Sequence, residues 1–390
     1  MPIDLNRLRK DTPGCRNVAH FNNAGSSLPP KRVLKTVIDH LELEARIGGY
    51  EAAAKADDRL KGVYESVARL INAKPGEIAL VENATRAWDM AFYSLKFLPG
   101  DRILTAQSEY VSNYIAYLQV AKRSGVTVEP VPNDTHGQLS IPALEKMIDG
   151  RVKLIAVTHI PTNGGLINPA AKIGAVARKH GIPFLLDACQ SVGQLDIDVA
   201  KIRCDMLSAT GRKYLRGPRG TGFLYVRKSM IERLEPPFLD LHAATWTAAD
   251  RYEIRRDARR FENWESYVAG RLGLGAAADY ALAIGMKTIE ADIRAKAAML
   301  RETLAAVPGV KVRDLGENPG GIVTFTKEGR GAEAIKTGLS KAKINVSVSG
   351  ASSTLLDMTA RKLKELVRAS VHYYNTPAEI ENLAKTLRTI

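Results

Sequence analysis

The sequence predicts an α/β protein: a large domain on a mainly parallel seven-stranded sheet, followed by a smaller C-terminal α+β domain. Three observations carry this. Short apolar runs alternate with amphipathic stretches through the middle of the chain, the mark of strand–helix–strand units. After about Arg260 the pattern changes to long alanine-rich helical stretches interleaved with separate strands. And 390 residues are too many for one ordinary core, so two domains are expected. The division falls at 16–260 and 261–390, with residues 1–15 packing against the second part.

Seven strands are expected from their apolar, β-branched runs: "EIALVEN" (77–83), "DRILTAQ" (101–107), "VTVEPVP" (126–132), "VKLIAVTHI" (152–160), "IPFLLDA" (182–188), "CDMLSAT" (204–210) and "GFLYVRK" (222–228). Helical patterns separate most of them. "TRAWDMAFYSLKFL" (85–98) ends at a Pro-Gly stop, and "NPAAKIGAVARKHG" (168–181) has Pro169 near its start and Gly181 at its end. Beyond residue 260 a helix is expected from Glu265 to about Met286, then "IEADIRAKAAMLRETLAAVPG". The strands "GIVTFTK", "INVSVSG" and "LVRASVHYY" follow, alternating with helices.

Composition narrows the function classes. Lys+Arg 56 against Asp+Glu 42 gives a net charge of +14, but the basic residues are spread along the chain and mixed with acids. No zinc-finger or RNA-recognition signature accompanies them, so a solvated surface that draws in anionic ligands is expected rather than nucleic-acid binding. No apolar run reaches membrane-spanning length, and the polar start "MPIDLNRLRKDTPG" lacks a signal-peptide core, which points to the cytoplasm. Cys15, Cys189 and Cys204 show neither disulfide-scaffold nor metal spacing.

In an open parallel sheet, ligands sit at the carboxyl ends of the strands. Reading past each end gives Asn83, Ala84 and Thr85 at a helix start, a ready anion site; Tyr110 in "SEYVSN"; Asn163 in "PTNGG"; Asp187 and Gln190; and finally Thr210, Gly211, Arg212 and Lys213. One rim thus receives an anion site, an aromatic face, an amide, a carboxylate and an amine. Those are the groups that pyridoxal phosphate demands. A nicotinamide dinucleotide would need G-x-G-x-x-G directly after a strand, whereas "GPRGTG" precedes its strand and has the wrong spacing.

At "FNNAGSSLPP", "ENATRA", "SEYVSN", "HIPTNGGLINP", "LLDACQSVGQLDIDV", "SATGRKYLRGPRGTGFLYV", "RRFENWE" and "VRASVHYYNTPAEI" the chain resembles the class V aminotransferase family of fold-type I pyridoxal-phosphate enzymes. Cysteine desulfurases, selenocysteine lyases, isopenicillin N epimerases and hercynylcysteine sulfoxide lyases belong to it. The resemblance implies pyridoxal 5′-phosphate as cofactor and an α-amino acid as substrate. Lys213 would carry the cofactor as a Schiff base and shuttle the Cα proton. Asp187 would pair with the pyridine nitrogen, Gln190 with the phenolate oxygen, and Tyr110 would supply the flat face where desulfurases carry a histidine. Asn83, Ala84, Thr85, Thr210 and Arg212 would hold the phosphate, with Arg212 replacing the more usual histidine. Arg368 would grip the substrate carboxylate, with Gly25 and Asn163 beside it. Strand alternation agrees: Arg368, Ser370 and His372 share the face opposite Val367, Ala369 and Val371. A homodimer is implied, with Asn263, Trp264 and Glu265 near the neighbour's site in place of the usual Gly-Thr.

Two local expectations complete the picture. Gly211 supplies a backbone geometry at the bend before Lys213 that other residues resist. Arg216 and Arg219 are either structural or recognise an anionic substrate. For the reaction, desulfurases place a cysteine on the loop ahead of the carboxylate arginine. Here "INVSVSGASSTLLDMTARKLKELVR" has none, and Cys189 is expected to pack under the cofactor. This reading sets aside a persulfide-forming cysteine desulfurase and leans to β-elimination from a cysteine-derived substrate. Transamination and epimerisation or racemisation are the alternatives.

Overall fold

The computed structural model describes residues 3–390. All seven expected strands form and join one sheet, in the order Ile78–Val81, Gly222–Val226, Met206–Thr210, Phe184–Asp187, Val152–Thr158, Arg102–Ala106 and Thr127–Val131. Gly222–Val226 runs antiparallel to both its neighbours, and every other pairing is parallel. Five of the strands are buried along their whole length, as a sheet covered on both faces requires. The carboxyl ends of six strands therefore share one rim. The antiparallel strand starts there too, with Gly222 opposite Val81 on one side and Thr210 on the other.

A second, antiparallel sheet has the order Val310–Val312, Ile322–Lys327, Glu365–Ser370 and Ser347–Gly350. The helices Met286–Ala305, Ala332–Lys341 and Pro377–Thr389 pack with it. The N-terminal segment is tied to this part. Ala19–His20 pairs in parallel with Ile344–Asn345, and the Arg9 guanidinium donates to Glu379 and to the Tyr374 carbonyl, both at 2.8 Å.

Several element boundaries differ from the sequence expectation. The helix after the first sheet strand spans Ala84–Phe92 and stops short of residue 98. There the Ser94 hydroxyl bonds back to the Met90 carbonyl, and the chain turns so that Phe97 meets Phe92 at 5.6 Å. The stretch 265–286 forms a helix only from Val268 to Ile284. Gly285, at φ +96°, breaks it from Met286–Ala305. That first helix lies against Lys31–Ile47 and Asp57–Leu70, two helices of the N-terminal third. The hairpin Ala244–Ala248 and Arg251–Ile254 is absent from the sequence reading, because its residues are mostly exposed and show no core-facing alternation. Among the described residues, no helix is long and apolar enough to cross a membrane.

Candidate active site

A cavity of about 560 Å³ opens at the common rim. Its walls include Asn83, Ala84, Thr85, Tyr110, Asp187, Thr210, Arg212 and Lys213, eight of the residues predicted to bind cofactor. Asp187 ends its strand and Thr210 ends the next, so the sheet register brings them to the same level. The loop that follows Thr210 carries Lys213 in. Gly211 does not make its bend through unusual dihedrals, as the sequence suggested: the positive φ angles of this loop fall at Arg216 and Gly220. Glycine is needed at 211 for space, since a Cβ there would stand 2.3 Å from the Thr221 hydroxyl.

The anion end of the cavity is the start of Ala84–Phe92. Asn83 caps that helix, its Oδ1 accepting from the Arg86 amide at 2.9 Å and its carbonyl accepting from the Ala87 amide. The amides of Ala84 and Thr85 precede the first intrahelical bond and face outward, where the helix end favours negative charge. Arg212, Arg86 and Arg219 surround the same opening. Arg219 is exposed at the wall, whereas Arg216 is fully buried. Its guanidinium donates to the Leu28 carbonyl, Tyr373 and Thr12, and it lies over the rings of Tyr280, Tyr373 and Tyr374. The two arginines thus part company: Arg216 is structural, and Arg219 is free to meet a ligand.

At the opposite end sits Asp187, buried, with Oδ1 accepting from the Cys189 amide at 2.9 Å and Oδ2 from Asn113 Nδ2 at 3.0 Å. Burial pushes its carboxyl above the usual range, against the pull of those two donors and of Lys213. A cationic partner would relieve that cost. Cys189 is a wall of the cavity, and burial raises its thiol while nearby Lys213 lowers it.

Gln190, Asn163, Gly25 and Arg368 stand outside these walls. The buried Gln190 amide donates to the Ala24 carbonyl at 3.1 Å and leaves Oε1 without a partner. Such an orphan accepts from a ligand donor, whereas a phenolate oxygen would take the second N–H of the amide. The Gly25 carbonyl accepts from Arg212 at 2.6 Å. Asn163 spans to the segment between the Ser347–Gly350 strand and the following helix, donating to Thr354 at 3.0 Å and accepting from Ser349. Arg368 donates to Ser347 at 3.1 Å and to Thr162. No carboxylate pairs with it among the described residues, and burial lowers its guanidinium from the ordinary range while Tyr214 and Tyr110 oppose the shift. It is therefore a cation without an internal counter-charge. Asn263 accepts from the chain's own Arg86 at 3.1 Å, while Trp264 is half exposed.

The sequence reading missed Glu109 and Asn113, which form a buried polar group behind Asp187. Their i, i+4 spacing about a helix start was the available signal. The donors and acceptors fit pyridoxal phosphate: an amine, a carboxylate opposite it, and a helix start with arginines for the phosphate. No cluster of His, Cys, Asp and Glu able to hold a metal occurs among the described residues.

Comparison with known proteins bears on the chemistry. The family model described as Aminotransferase class-V matches residues 19–383. A probable cysteine desulfurase of Pyrococcus abyssi is 30% identical over 390 residues, covering 98% of this chain and 96% of that protein. A probable cysteine desulfurase of Methanothermobacter thermautotrophicus is 30% identical over 389 residues, at 98% and 97%. The apo structure of a cysteine desulfurase from Thermococcus onnurineus superimposes with a TM-score of 0.92 at 28% identity, covering 100% of this chain and 98% of that one. These relatives overturn the sequence reading that set persulfide-forming desulfurases aside and leaned to β-elimination. That reading rested on one cysteine-free loop, whereas the likeness to desulfurases runs along the whole chain and its fold. A missing thiol at one place says which group does not accept sulfur, not which bond is broken. The chain belongs to the class V aminotransferase family of fold-type I pyridoxal-phosphate enzymes.

Proposed function

We propose that this protein uses pyridoxal 5′-phosphate to remove the sulfur of L-cysteine, so that cysteine and a thiol RSH give alanine and the persulfide RSSH. The observation that carries the proposal is the meeting of the Lys213 amine and the Asp187 carboxylate in one cavity beside a helix start. The desulfurase relatives supply the substrate class. When bound, the cofactor supplies an electron sink for bonds at the substrate's Cα and Cβ. Lys213 Nζ anchors it and afterwards moves the Cα proton. Asp187 would pair with the ring nitrogen, Tyr110 would supply a flat face for the ring, and Gln190 would donate an amide N–H to the ring oxygen. Asn83, Ala84, Thr85, Thr210 and Arg212 hold the phosphate. Arg368 takes the substrate carboxylate, with Asn163 and Gly25 shaping that end.

The protein works as a homodimer in the cytoplasm. Phe238, Leu241, Trp246, Tyr252 and Trp264 are all more than half exposed and lie near the Asn263–Glu265 segment, an apolar face that a second copy would cover. Light scattering reporting a monomer at micromolar concentration would end that part of the proposal. The activity is tested by incubating the purified holoprotein with L-cysteine and dithiothreitol. Alanine and sulfide are expected in equal amounts, and neither from Lys213→Ala. Pyruvate and ammonia in place of alanine would overturn the proposal.

A further inference from the structure

Behind Asp187 lies a second carboxylate that the assignments above leave unused. Glu109 is 3% exposed and has no cationic partner among the described residues. It is nevertheless fully engaged. Oε1 accepts from the Tyr110 amide at 3.0 Å, from Asn113 Nδ2 at 2.9 Å and from the Thr158 hydroxyl. Oε2 accepts from the Thr105 hydroxyl at 2.9 Å and the Thr158 amide at 3.0 Å. Glu109 accepts in all five bonds, which suits its ionised form, while burial and the nearby Asp187 push its carboxyl up against the pull of those donors.

Asn113 is the link. Its Nδ2 has two protons, and the two carboxylates take them: Glu109 at 2.9 Å and Asp187 Oδ2 at 3.0 Å. Thr158 is the second link, because it stands opposite Asp187 in the sheet register and gives Glu109 both its amide and its hydroxyl. Glu109 therefore fixes which end of the Asn113 amide meets Asp187. If Glu109 became an amide, its NH₂ would compete with the Asn113 NH₂. Asn113 would then turn its oxygen toward the buried Asp187 carboxylate, two acceptors facing each other. The same five bonds hold the Tyr110 amide, and so the start of the helix that carries Asn113.

We propose that Glu109 is a positioning residue for the carboxylate of Asp187, acting through the shared amide of Asn113 and through Thr158, so that Asp187 is aimed at the cofactor's ring nitrogen. This rests on the proposed pairing of Asp187 with that nitrogen. Two negative groups joined by one neutral amide raise the local negative potential, and a protonated ring nitrogen is the cation that answers it.

The test measures cofactor affinity of the full-length apoprotein for two probes, pyridoxal 5′-phosphate and its 1-deaza analogue, in which CH replaces the ring nitrogen. Glu109→Gln should weaken pyridoxal phosphate by roughly tenfold or more, the scale of one buried group left mispaired, while affinity for the analogue stays within about twofold of the parent. Asn113→Ala, which removes the link and leaves the other four bonds of Glu109 in place, should do the same. The double variant should lose no more than the worse single one, since both act along one path. Equal losses for both probes would make Glu109 a general packing residue and overturn the proposal. Additive losses would make it a field effect that bypasses Asn113, and would overturn it equally. If Glu109→Gln does not fold, an unchanged preference for pyridoxal phosphate in Asn113→Ala overturns the proposal by itself. Asp187→Asn separates the underlying assignment. If it retains the parent's preference for pyridoxal phosphate over the analogue, the pairing of Asp187 with the ring nitrogen fails. If it loses that preference while Glu109→Gln keeps it, only the role of Glu109 fails.

Discussion

A half-buried guanidinium with no carboxylate beside it is poised for an anion. Arg368 is in that state, held by the hydroxyls of Ser347 and Thr162. Charge-assisted bonds to a substrate carboxylate are worth roughly 1.5–3 kcal/mol each. Loss of a bidentate pair in Arg368→Ala should therefore lower kcat/KM by at least about a hundredfold. Arg368→Lys keeps the charge without the fork and should recover only part. Steady-state kinetics beside the visible spectrum decides this: cofactor content should be unchanged, and a variant that lost cofactor and regained its kinetics when pyridoxal phosphate was added would move Arg368 to the phosphate. At this scale the sequence was most informative where a residue follows a strand end, as at Asp187, Thr210 and Lys213. Glu109 was passed over because its i, i+4 spacing to Asn113 is a weak signal, and its other side-chain partners, Thr105 and Thr158, lie on separate strands. It misjudged Gly211, because crowding by Thr221, ten positions on, cannot be read from local dihedral preference.

Elements place these residues, and one contact between elements sets the height of Lys213. The turn after Gln190 passes under the lysine loop at Gly193. There φ is +91°, and a Cβ would stand 2.3 Å from the Leu215 amide nitrogen and from the Tyr214 carbonyl carbon. Gly193→Ala should destabilise the fold by about 1–3 kcal/mol. It should also reduce cofactor occupancy although residue 193 is not a cavity wall, since relief of the clash lifts the residues that follow Lys213. Denaturant melts and the visible absorbance of the purified variant report the two effects. Full occupancy with only a stability loss would show that the loop absorbs the strain elsewhere. Five of the seven sheet strands were legible because burial on both faces gives continuous apolar runs, and the edge strand Thr127–Val131 through its β-branched residues. The amphipathic helix Lys31–Ile47 has its signal too, a proline before it and Val33 facing the core. The exposed hairpin at 244–254 has none, because nothing in it is selected for a core.

The whole molecule buries several histidines in the neutral form, and that sets its behaviour in acid. His159, packed behind the Asp187 strand and bonded to Ser191 at 3.0 Å, is pushed down to about 4 by burial, with Arg294 adding to the shift. His20 and His372 are lowered by burial as well. A histidine free in the unfolded chain takes its proton near pH 6.5. Between that value and about 4 the unfolded state binds a proton that the folded state refuses, so stability is complete above pH 6.5 and is lost as pH falls. Buried carboxylates with raised pKa, Asp187 among them, act in the opposite sense over part of this range. The difference between the parent and His159→Gln isolates one residue: it should shrink by about 1.4 kcal/mol per pH unit between about 6.5 and 4, measured by urea unfolding, and a flat difference would show that His159 is already charged in the fold. The caged Arg216 has a consequence of another kind. Its partners are Thr12, Leu28 and Tyr373, and its aromatic shelter is completed by Tyr280 and Tyr374. Translation proceeds from the N-terminus at roughly 5–20 residues per second. The cage therefore joins residues 12 and 28 to residues 280, 373 and 374, and Arg216 is fully sheltered only once nearly the whole chain has been made.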